Sequence, residues 1–528
     1  MLHHDLLLVI GLLFAVSLLT LLGTRLRIAQ PLVLVLGGLA IAFVPGLPHV
    51  RLAPDLVFLI FLPPLLYEAA WFTSWREFWR WKRSILMLAF GLVLFTSVIV
   101  AYVTAAVIPG MTLALGFLLG GVISPPDAVA ATSVLKGLRI PKRATTILEG
   151  ESLVNDASSL IVFRFALAAA LTGHFSLAEA AQQFVVVAGG GVLVGLALAA
   201  AVYHLHRALP TTPAIDTALT VMTPYVMYIA AEEVHASGVM SVVSGGLFLS
   251  QRAHSFLDYK ARMQAYGVWG TLIFVLNGLV FILIGLELPE IISLLGPGEL
   301  RQAIGYGLFV SVLVIAVRFV WMYPAAHVPR LLFPSIGRRE PSPGWRMPTV
   351  LAWAGMRGVV SLAAALSIPE TLPGGEPFPL RGSLLVITFV VILVTLVGQG
   401  LTLPALVRRI QIADVDHHVP EEEQELALRA ELAGAVVAHL TAHPAAGTPR
   451  VTRAHAHYTR VAARSKAALD ELRAAAHATH AEGRDFQKSL LAVQREALGQ
   501  VREAATYDDE VLRKVESTLD LEEARLNG

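Results

Sequence analysis

The run GESLVNDASSL (150–160) combines acidic, amide and hydroxyl side chains in a spacing that suits ion binding. If the run is helical, Ser152, Asp156 and Ser159 fall at i, i+4 and i+7 on one stripe, with Asn155 beside them. Oxygen ligands of this kind suit an alkali cation, whereas transition metals favour imidazole or thiolate. The structural alternative is a hydrogen-bonded packing stripe between helices. Because burying a carboxylate in the membrane costs more free energy than burying a neutral polar group that could make the same contact, the stripe predicts a cation site at Asp156.

The preceding run, GGVISPPDAVAATSVL (120–135), is interrupted by Pro125 and Pro126. Proline removes a backbone donor and clashes with the previous turn, so the run predicts a broken helix. Asp127 would begin the second half-helix, where the positive end of the dipole favours a carboxylate. Backbone carbonyls around Pro126 could turn toward a cation at such a break. A simple proline kink, which Asp127 merely caps, is the alternative.

Three arginines stand out in apolar segments. Arg357 lies in the middle of segment 347–369 and needs an anion. We expect Glu151 to be its partner in a structural salt bridge, because an unpaired buried charge is strongly destabilising and a bidentate pair is tolerable. Arg164 and Arg318 also lie in apolar segments, where we expect structural or counter-charge roles without naming a partner.

Glu68 follows a Pro63–Pro64 pair in FLPPLLYEAAW. It is predicted to be an auxiliary carboxylate at the mouth of an ion cavity, and capping of a helix end is the alternative. The interrupted segments 112–135 and 347–369 lie in different halves of the chain. This correspondence indicates an inverted repeat with a site at the membrane midplane.

The composition places most of the chain in lipid. Of 528 residues, 55% are hydrophobic and 15% charged, and the mean hydropathy is +0.66, which exceeds what a soluble domain could bury. The sequence predicts an all-α polytopic membrane protein of about thirteen transmembrane helices, or twelve if the short 238–250 stretch does not cross. The predicted spans are 5–24, 31–49, 54–73, 84–108, 112–135, 144–172, 181–203, 214–234, 238–250, 264–288, 301–329, 347–369 and 382–407.

Loops rich in Lys and Arg alternate with loops that contain few of them, as the positive-inside rule requires. The loops with few basic residues contain only Arg51, Arg301 and Arg381. This alternation predicts an N-terminus outside the cell and a cytoplasmic C-terminus, which favours an odd number of spans. The first residues, MLHHDLLLVIGLLF, lack a basic region and a cleavage site, so we interpret them as the first span.

The composition shifts after about residue 411 to Glu, Ala, Arg and Gln with few β-branched residues. We therefore predict a transmembrane domain over 1–410 and a cytoplasmic helical regulatory domain over 411–528. The latter should hold roughly four amphipathic helices, broken near 444–449 and 483. Its histidines could bind metal or sense pH, but solvated helix faces explain them at least as well.

Several function classes are disfavoured by the sequence. There is no cysteine, which excludes disulfides, thiolate metal sites and cysteine nucleophiles. Lys and Arg total 40 against 39 Asp and Glu, which gives no reason to expect a nucleic-acid partner. No GxxxxGK[ST] phosphate loop is present, so ATP-driven transport has no support. We expect no enzymatic activity and no cofactor.

Four motifs in order, FLPPLLYE, SPPDAVAA, GESLVNDASSL and GMRGVVSLA, resemble the sodium/proton exchanger family, in its Asn-Asp branch of monovalent cation:proton antiporters. The resemblance spans about residues 5–410. It implies that Asp156 carries the transported ion, Asn155 is its motif partner, Asp127 is the acid of the unwound helix, and Ser152 is a further ligand. It also implies a Glu151–Arg357 pair and a homodimer with separate core and dimerisation domains.

One departure concerns the unwinding, where several family members have an Asp-Pro order and this chain has Pro126 before Asp127. A related branch has two adjacent aspartates and is associated with electrogenic exchange, so Asn155 points to electroneutral exchange. The expected activity is exchange of Na⁺, with Li⁺ or K⁺ as other substrates, for H⁺ across the cell membrane in pH and sodium homeostasis. A potassium-preferring exchanger, a cation channel and a membrane sensor are the alternatives.

Overall fold

The computed structural model describes residues 2–44, 57–138, 140–173, 177–209, 211–334, 336, 340, 342–412, 421–442 and 447–475, with a few residues between 490 and 519. The chain forms two compact units, Met1–Asp416 and His417–Gly528. The described residues are helices joined by turns and loops, with one isolated β-bridge between Thr371 and Pro377. The predicted all-helical fold is confirmed.

The first unit holds eighteen α-helices among the described residues. They are α1 (Leu2–Leu26), α2 (Gln30–Ala42), α3 (Leu62–Phe72), α4 (Trp75–Leu86), α5 (Val93–Val107), α6 (Leu113–Ile123), α7 (Ala128–Leu135), α8 (Lys142–Thr172), α9 (Leu177–Ala208), α10 (Pro213–Glu233), α11 (Gly238–Phe256), α12 (Tyr259–Leu286), α13 (Leu288–Ser293), α14 (Pro297–Leu332), α15 (Arg346–Trp353), α16 (Val359–Leu366), α17 (Arg381–Leu393) and α18 (Gly400–Ile410). Short π-helical turns, Val57–Phe61, Met87–Leu92 and Val394–Gln399, precede α3, α5 and α18.

Among the described residues, nine helices are long and apolar enough to cross a membrane. Two shorter apolar helices lie at Gln30–Ala42 and Phe58–Phe72. The short stretch predicted at 238–250 extends to a 19-residue helix, Gly238–Phe256. The count of thirteen spans and the inverted repeat remain predictions.

Both predicted broken helices are present. The first stops at Ile123 and resumes at Ala128, and the second stops at Trp353 and resumes at Val359. Pro125 and Pro126 explain the first interruption, because neither can donate a backbone hydrogen bond.

The helices of the first unit pack as two bundles. In the site bundle, which comprises α4–α8 and α14–α18, α6 packs on α5 and α8, α14 packs on α15 and α17, and α16 joins α6 to α17. In the frame bundle, which comprises α1–α3 and α9–α12, α2 packs on α12, α11 packs on α9 and α3, and α10 packs on α11 and α12. Both interrupted helices thus belong to one bundle.

The second unit contains a pair of helices, α19 (Glu421–Thr441) and α20 (Pro449–Ala475), that pack against each other. The predicted break near 444–449 falls between them. The predicted break at Gly483 and most of the residues beyond it lie outside the described residues.

Candidate ion-binding site

The two interrupted helices are hydrogen-bonded to each other at their unwound segments. The backbone N–H of Asp127 donates to the carbonyl of Met356 at 2.7 Å. In the other direction, Nε of Arg357 donates to the carbonyl of Ile123 at 2.8 Å. Backbone groups that a continuous helix would have paired internally are thus paired across the two breaks, as burial at membrane depth requires.

Asp127 caps the second half of its broken helix, as its position in the sequence predicts. Its Oδ1 accepts from the backbone N–H groups of Val129 at 2.8 Å and Ala130 at 3.3 Å. Its Oδ2 lies against Gly358, where any Cβ would overlap the carboxylate. Gly358 therefore allows the second broken helix to approach the Asp127 carboxylate closely.

The neighbouring helix α8 is bound to the same break by two side chains. Asn155 is buried, and its Nδ2 donates to the carbonyl of Pro126 at 3.0 Å. Ser152 Oγ accepts from the backbone N–H of Ala128 at 3.2 Å. The structure thus brings Asn155, Ser152, Pro126 and Asp127 together, as the sequence suggested.

Asp156 lies on α8 with only 8% of its surface exposed. It interacts electrostatically with Asp127. Both carboxylates line the same cavity, and a proton or a cation bound there would reduce the repulsion between them. Ser159, the third member of the predicted stripe, donates instead to the backbone carbonyl of Asp156 at 3.0 Å, within its own helix.

A cavity of about 350 Å³ opens onto these side chains between the site and frame bundles. Its wall includes Asp156, Asp127, Ser152 and Pro126 together with parts of α3, α12 and α16. The described residues that line it include four carboxylates, which are Glu68, Asp127, Glu149 and Asp156. Lys and Arg are absent from this described lining. A cavity lined by one sign of charge concentrates counter-ions, here cations.

Glu68 occupies the cavity wall, in keeping with its prediction as an auxiliary carboxylate. Glu149 shares that wall and interacts electrostatically with Glu68, and the sequence analysis missed it. A signal was present, because Glu149, Ser152 and Asp156 continue one stripe at spacings of three and four residues.

The predicted Glu151–Arg357 salt bridge is wrong, because the partner of Glu151 is Arg318. Glu151 forms a bidentate pair with Arg318, with Nη1–Oε1 and Nη2–Oε2 distances of 2.6 and 2.8 Å. Both side chains are 1% exposed. Gly355 makes this possible, because a Cβ there would overlap the Arg318 side chain.

Arg357 is held in its unwound segment by oxygen acceptors of the site bundle. Besides the Ile123 carbonyl, its Nη1 donates to the carbonyl of Gly355. Its backbone N–H donates to Thr395 Oγ1 at 3.1 Å. Arg357 thus links the two unwound segments to each other.

Two interrupted helices that are hydrogen-bonded at their unwound segments, beside a buried carboxylate and a cavity of about 350 Å³, are typical of a secondary ion transporter. Residues 11–409 match the family model for the transmembrane region of sodium/hydrogen exchangers, and the chain belongs to that family. This family consists of transporters rather than enzymes.

The chain is similar to several bacterial proteins of this family. It is 35% identical over 413 residues to the sodium, potassium, lithium and rubidium/H⁺ antiporter of Bacillus pumilus, a match that covers 76% of this chain but only 61% of that protein. It is 32% identical over 529 residues to an uncharacterized Na⁺/H⁺ exchanger of Mycobacterium bovis, covering 98% of this chain and 95% of the other.

A similar fold occurs in the sodium proton antiporter MjNhaP1 of Methanocaldococcus jannaschii. The TM-score is 0.61 at 20% identity, and the match covers 77% of this chain and 99% of that structure. At this identity the likeness concerns the fold.

Proposed function

We propose that this protein exchanges Na⁺ for H⁺ across the cell membrane and that Asp156 is the ion carrier. The observation that carries the proposal is a cavity whose described lining holds only acidic charged residues and includes Asp156 and residues of both interrupted helices. Asp127, Ser152, Asn155, Glu68 and the Pro126 carbonyl form the oxygen-rich surroundings in which the cation binds.

Exchange follows from competition at one carboxylate. Asp156 is buried and shares its surroundings with the Asp127 carboxylate, so an ionised Asp156 without a bound cation is costly. Either a proton or a cation, but not both at once, neutralises the Asp156 carboxylate. The site bundle then moves as a rigid body against the frame bundle and exposes the neutralised site to the other side.

The cation preference within the monovalent ions is part of this proposal. The Bacillus pumilus relative is named for sodium, potassium, lithium and rubidium, so K⁺ and Li⁺ are the alternative substrates to compare. The test is counterflow in proteoliposomes, in which an imposed Na⁺, K⁺ or Li⁺ gradient should drive protons in the opposite direction. A voltage-driven cation current without proton movement would identify a channel, and the absence of any flux would favour a sensor.

Glu149 is expected to help gather cations at the cavity wall. Glu149→Gln should raise the KM for Na⁺ by about two- to fivefold, with little change in the maximal rate, because it removes one attractive charge without touching Asp156. The effect should shrink at high ionic strength. Glu233→Gln, an exposed acid outside the cavity lining, is the matched control. An unchanged KM at low ionic strength would contradict this role.

Exchange is expected to be electroneutral, with one cation for one proton, because a single acid occupies the Asn155–Asp156 position. In proteoliposomes clamped with potassium and valinomycin, sodium-driven proton flux should not vary with voltage. A sustained current whose sign follows the sodium gradient would contradict the one-for-one stoichiometry. Asp127 would then be the first residue to re-examine.

Residues 411–528 are proposed to form a cytoplasmic regulatory domain that is dispensable for transport itself, since all the candidate ion-site residues lie before residue 410. Deletion after residue 412 should spare exchange and shift the pH profile at most. The measurement is sodium-driven proton flux by the truncated protein at several pH values. Total loss of flux in a truncated protein that remains folded and dimeric would contradict the proposal.

We further propose that the protein is a homodimer with its N-terminus outside and its C-terminus in the cytoplasm, serving pH and sodium homeostasis. The support for this is the family resemblance and the distribution of basic residues between alternate loops. Mass measurement of the protein in detergent tests the dimer.

A further inference from the structure

An ion pair joins the site bundle to the frame bundle at a distance from the cavity. Arg164 of α8 donates twice from Nη2 to the carboxylate of Glu232, which lies at the C-terminal end of α10, at 3.0 and 2.8 Å. The Glu232 carboxylate also accepts from the backbone N–H of Gly238, the first residue of α11, at 3.2 Å. A single carboxylate thus connects the ion-carrying helix to the corner between two frame helices.

The pair lies toward the C-terminal end of α8, beyond the residues of this helix that line the cavity. The cavity wall includes Glu149, Ser152 and Asp156 of α8, while Arg164 is eight residues beyond Asp156, which is about 12 Å along a helix. Arg164 and Glu232 are both outside the cavity lining. One end of the site is therefore open to a cavity, and at the other end the two bundles are tied together.

The two residues belong to helices with different packing partners. α8 packs mainly against α6, α4 and α7 of the site bundle, whereas α10 packs against α9, α11, α12 and α3 of the frame bundle. The proposed exchange mechanism requires the two bundles to move relative to each other. Because Arg164 belongs to the site bundle and Glu232 to the frame bundle, this movement separates the guanidinium from the carboxylate.

We propose that the Arg164–Glu232 pair is a latch that holds closed the end of the site opposite the cavity and that opens once in every transport cycle. The ion pair stabilises the state in which the cavity is open, and it breaks when the opposite side of the site opens. Arg164 and Glu232 are thus residues that set the balance between the two states of the transporter, without contacting the ion.

The chain has no cysteine, so a single introduced thiol reports the state of the cavity without interference. Thr132 lines the cavity on α7 and is outside the proposed ion ligands. In a Thr132→Cys background, labelling by a membrane-impermeant maleimide applied from the cavity side measures how often this side is open. Arg164→Gln and Glu232→Gln should each slow labelling by up to about fivefold, the range expected for loss of a partly exposed ion pair. The exchanged pair Arg164→Glu with Glu232→Arg should restore much of the labelling rate.

A second ion pair supplies the matched control. Arg381 and Glu370 lie 3.9 Å apart at the start of α17 and just after α16, both within the site-bundle segment of the chain. Glu370→Gln removes an ion pair that does not join the two bundles, so labelling should not change. Equal labelling rates in the Arg164→Gln, Glu232→Gln and control variants would overturn the latch.

Cross-linking keeps the proposal testable if single substitutions disturb folding. In an Arg164→Cys, Glu232→Cys protein, a short cleavable bis-maleimide should block sodium-driven proton flux, and cleavage of the linker should restore it. Full flux with the linker in place would contradict the latch. Labelling of Thr132→Cys requires no transport, so failure of the latch and failure of the proposed exchange activity give different results.

Discussion

Asp156→Asn is expected to reduce sodium-driven proton flux to the level of empty liposomes while leaving the protein folded and inserted. The amide has nearly the same size as the carboxylate, but it can neither release a proton nor neutralise a cation at physiological pH. Since exchange depends on competition between these two ligands at one group, its loss removes the coupling entirely. The measurement is proton flux in proteoliposomes under an imposed sodium gradient.

The matched control for this variant is Asp216→Asn. Asp216 is also a buried acid, but it pairs with His206 at 2.9 Å and lies outside the cavity lining. It should retain exchange if it remains folded. Wild-type flux in the Asp156→Asn protein would show that Asp156 is not the carrier and would overturn the mechanism.

The second large effect is expected on stability. Arg318→Ala should destabilise the protein by about 3–5 kcal/mol, because it strands the Glu151 carboxylate in a site where both partners are 1% exposed. Glu151→Gln in the same protein should recover part of this loss by removing the stranded charge. Thermal unfolding of the two single variants and the double variant gives their coupling.

Arg357→Ala is the control for that cycle. Its guanidinium donates to the carbonyls of Ile123 and Gly355, whereas the Glu151 carboxylate accepts from Arg318, so its coupling to Glu151 should be smaller than that of Arg318. Additive melting shifts for Glu151 and Arg318, with strong coupling between Glu151 and Arg357, would contradict the arrangement described above.

The candidate ion site could be predicted from the sequence where neighbouring residues determine the local structure. Pro125 and Pro126 cannot continue a helix, so the break and the capping role of Asp127 follow from neighbouring residues alone. The stripe on α8 follows from helical periodicity, which places Ser152 and Asp156 together. Glu149 belongs to the same stripe and could have been found in the same way.

The partner of Glu151 could not be derived in this manner. Arg318 and Arg357 both lie in apolar segments, and Arg318 is 167 residues from Glu151 along the chain. The choice depends on the tertiary arrangement that brings Arg318 of α14 to Glu151 of α8 and on the space left by Gly355. For the same reason the Arg164–Glu232 pair was not foreseen, since it depends on which helices meet rather than on any local pattern.

The central claim, that Asp156 holds either a proton or a cation, is tested most directly by proton release on sodium binding. Sodium is added to purified protein in a weakly buffered solution below the pH at which the site is fully ionised, and released protons are compared with bound sodium. The account predicts about one proton released per cation bound, and neither release nor tight binding in Asp156→Asn. Sodium binding to the wild-type protein without proton release would contradict the competition on which the exchange mechanism depends.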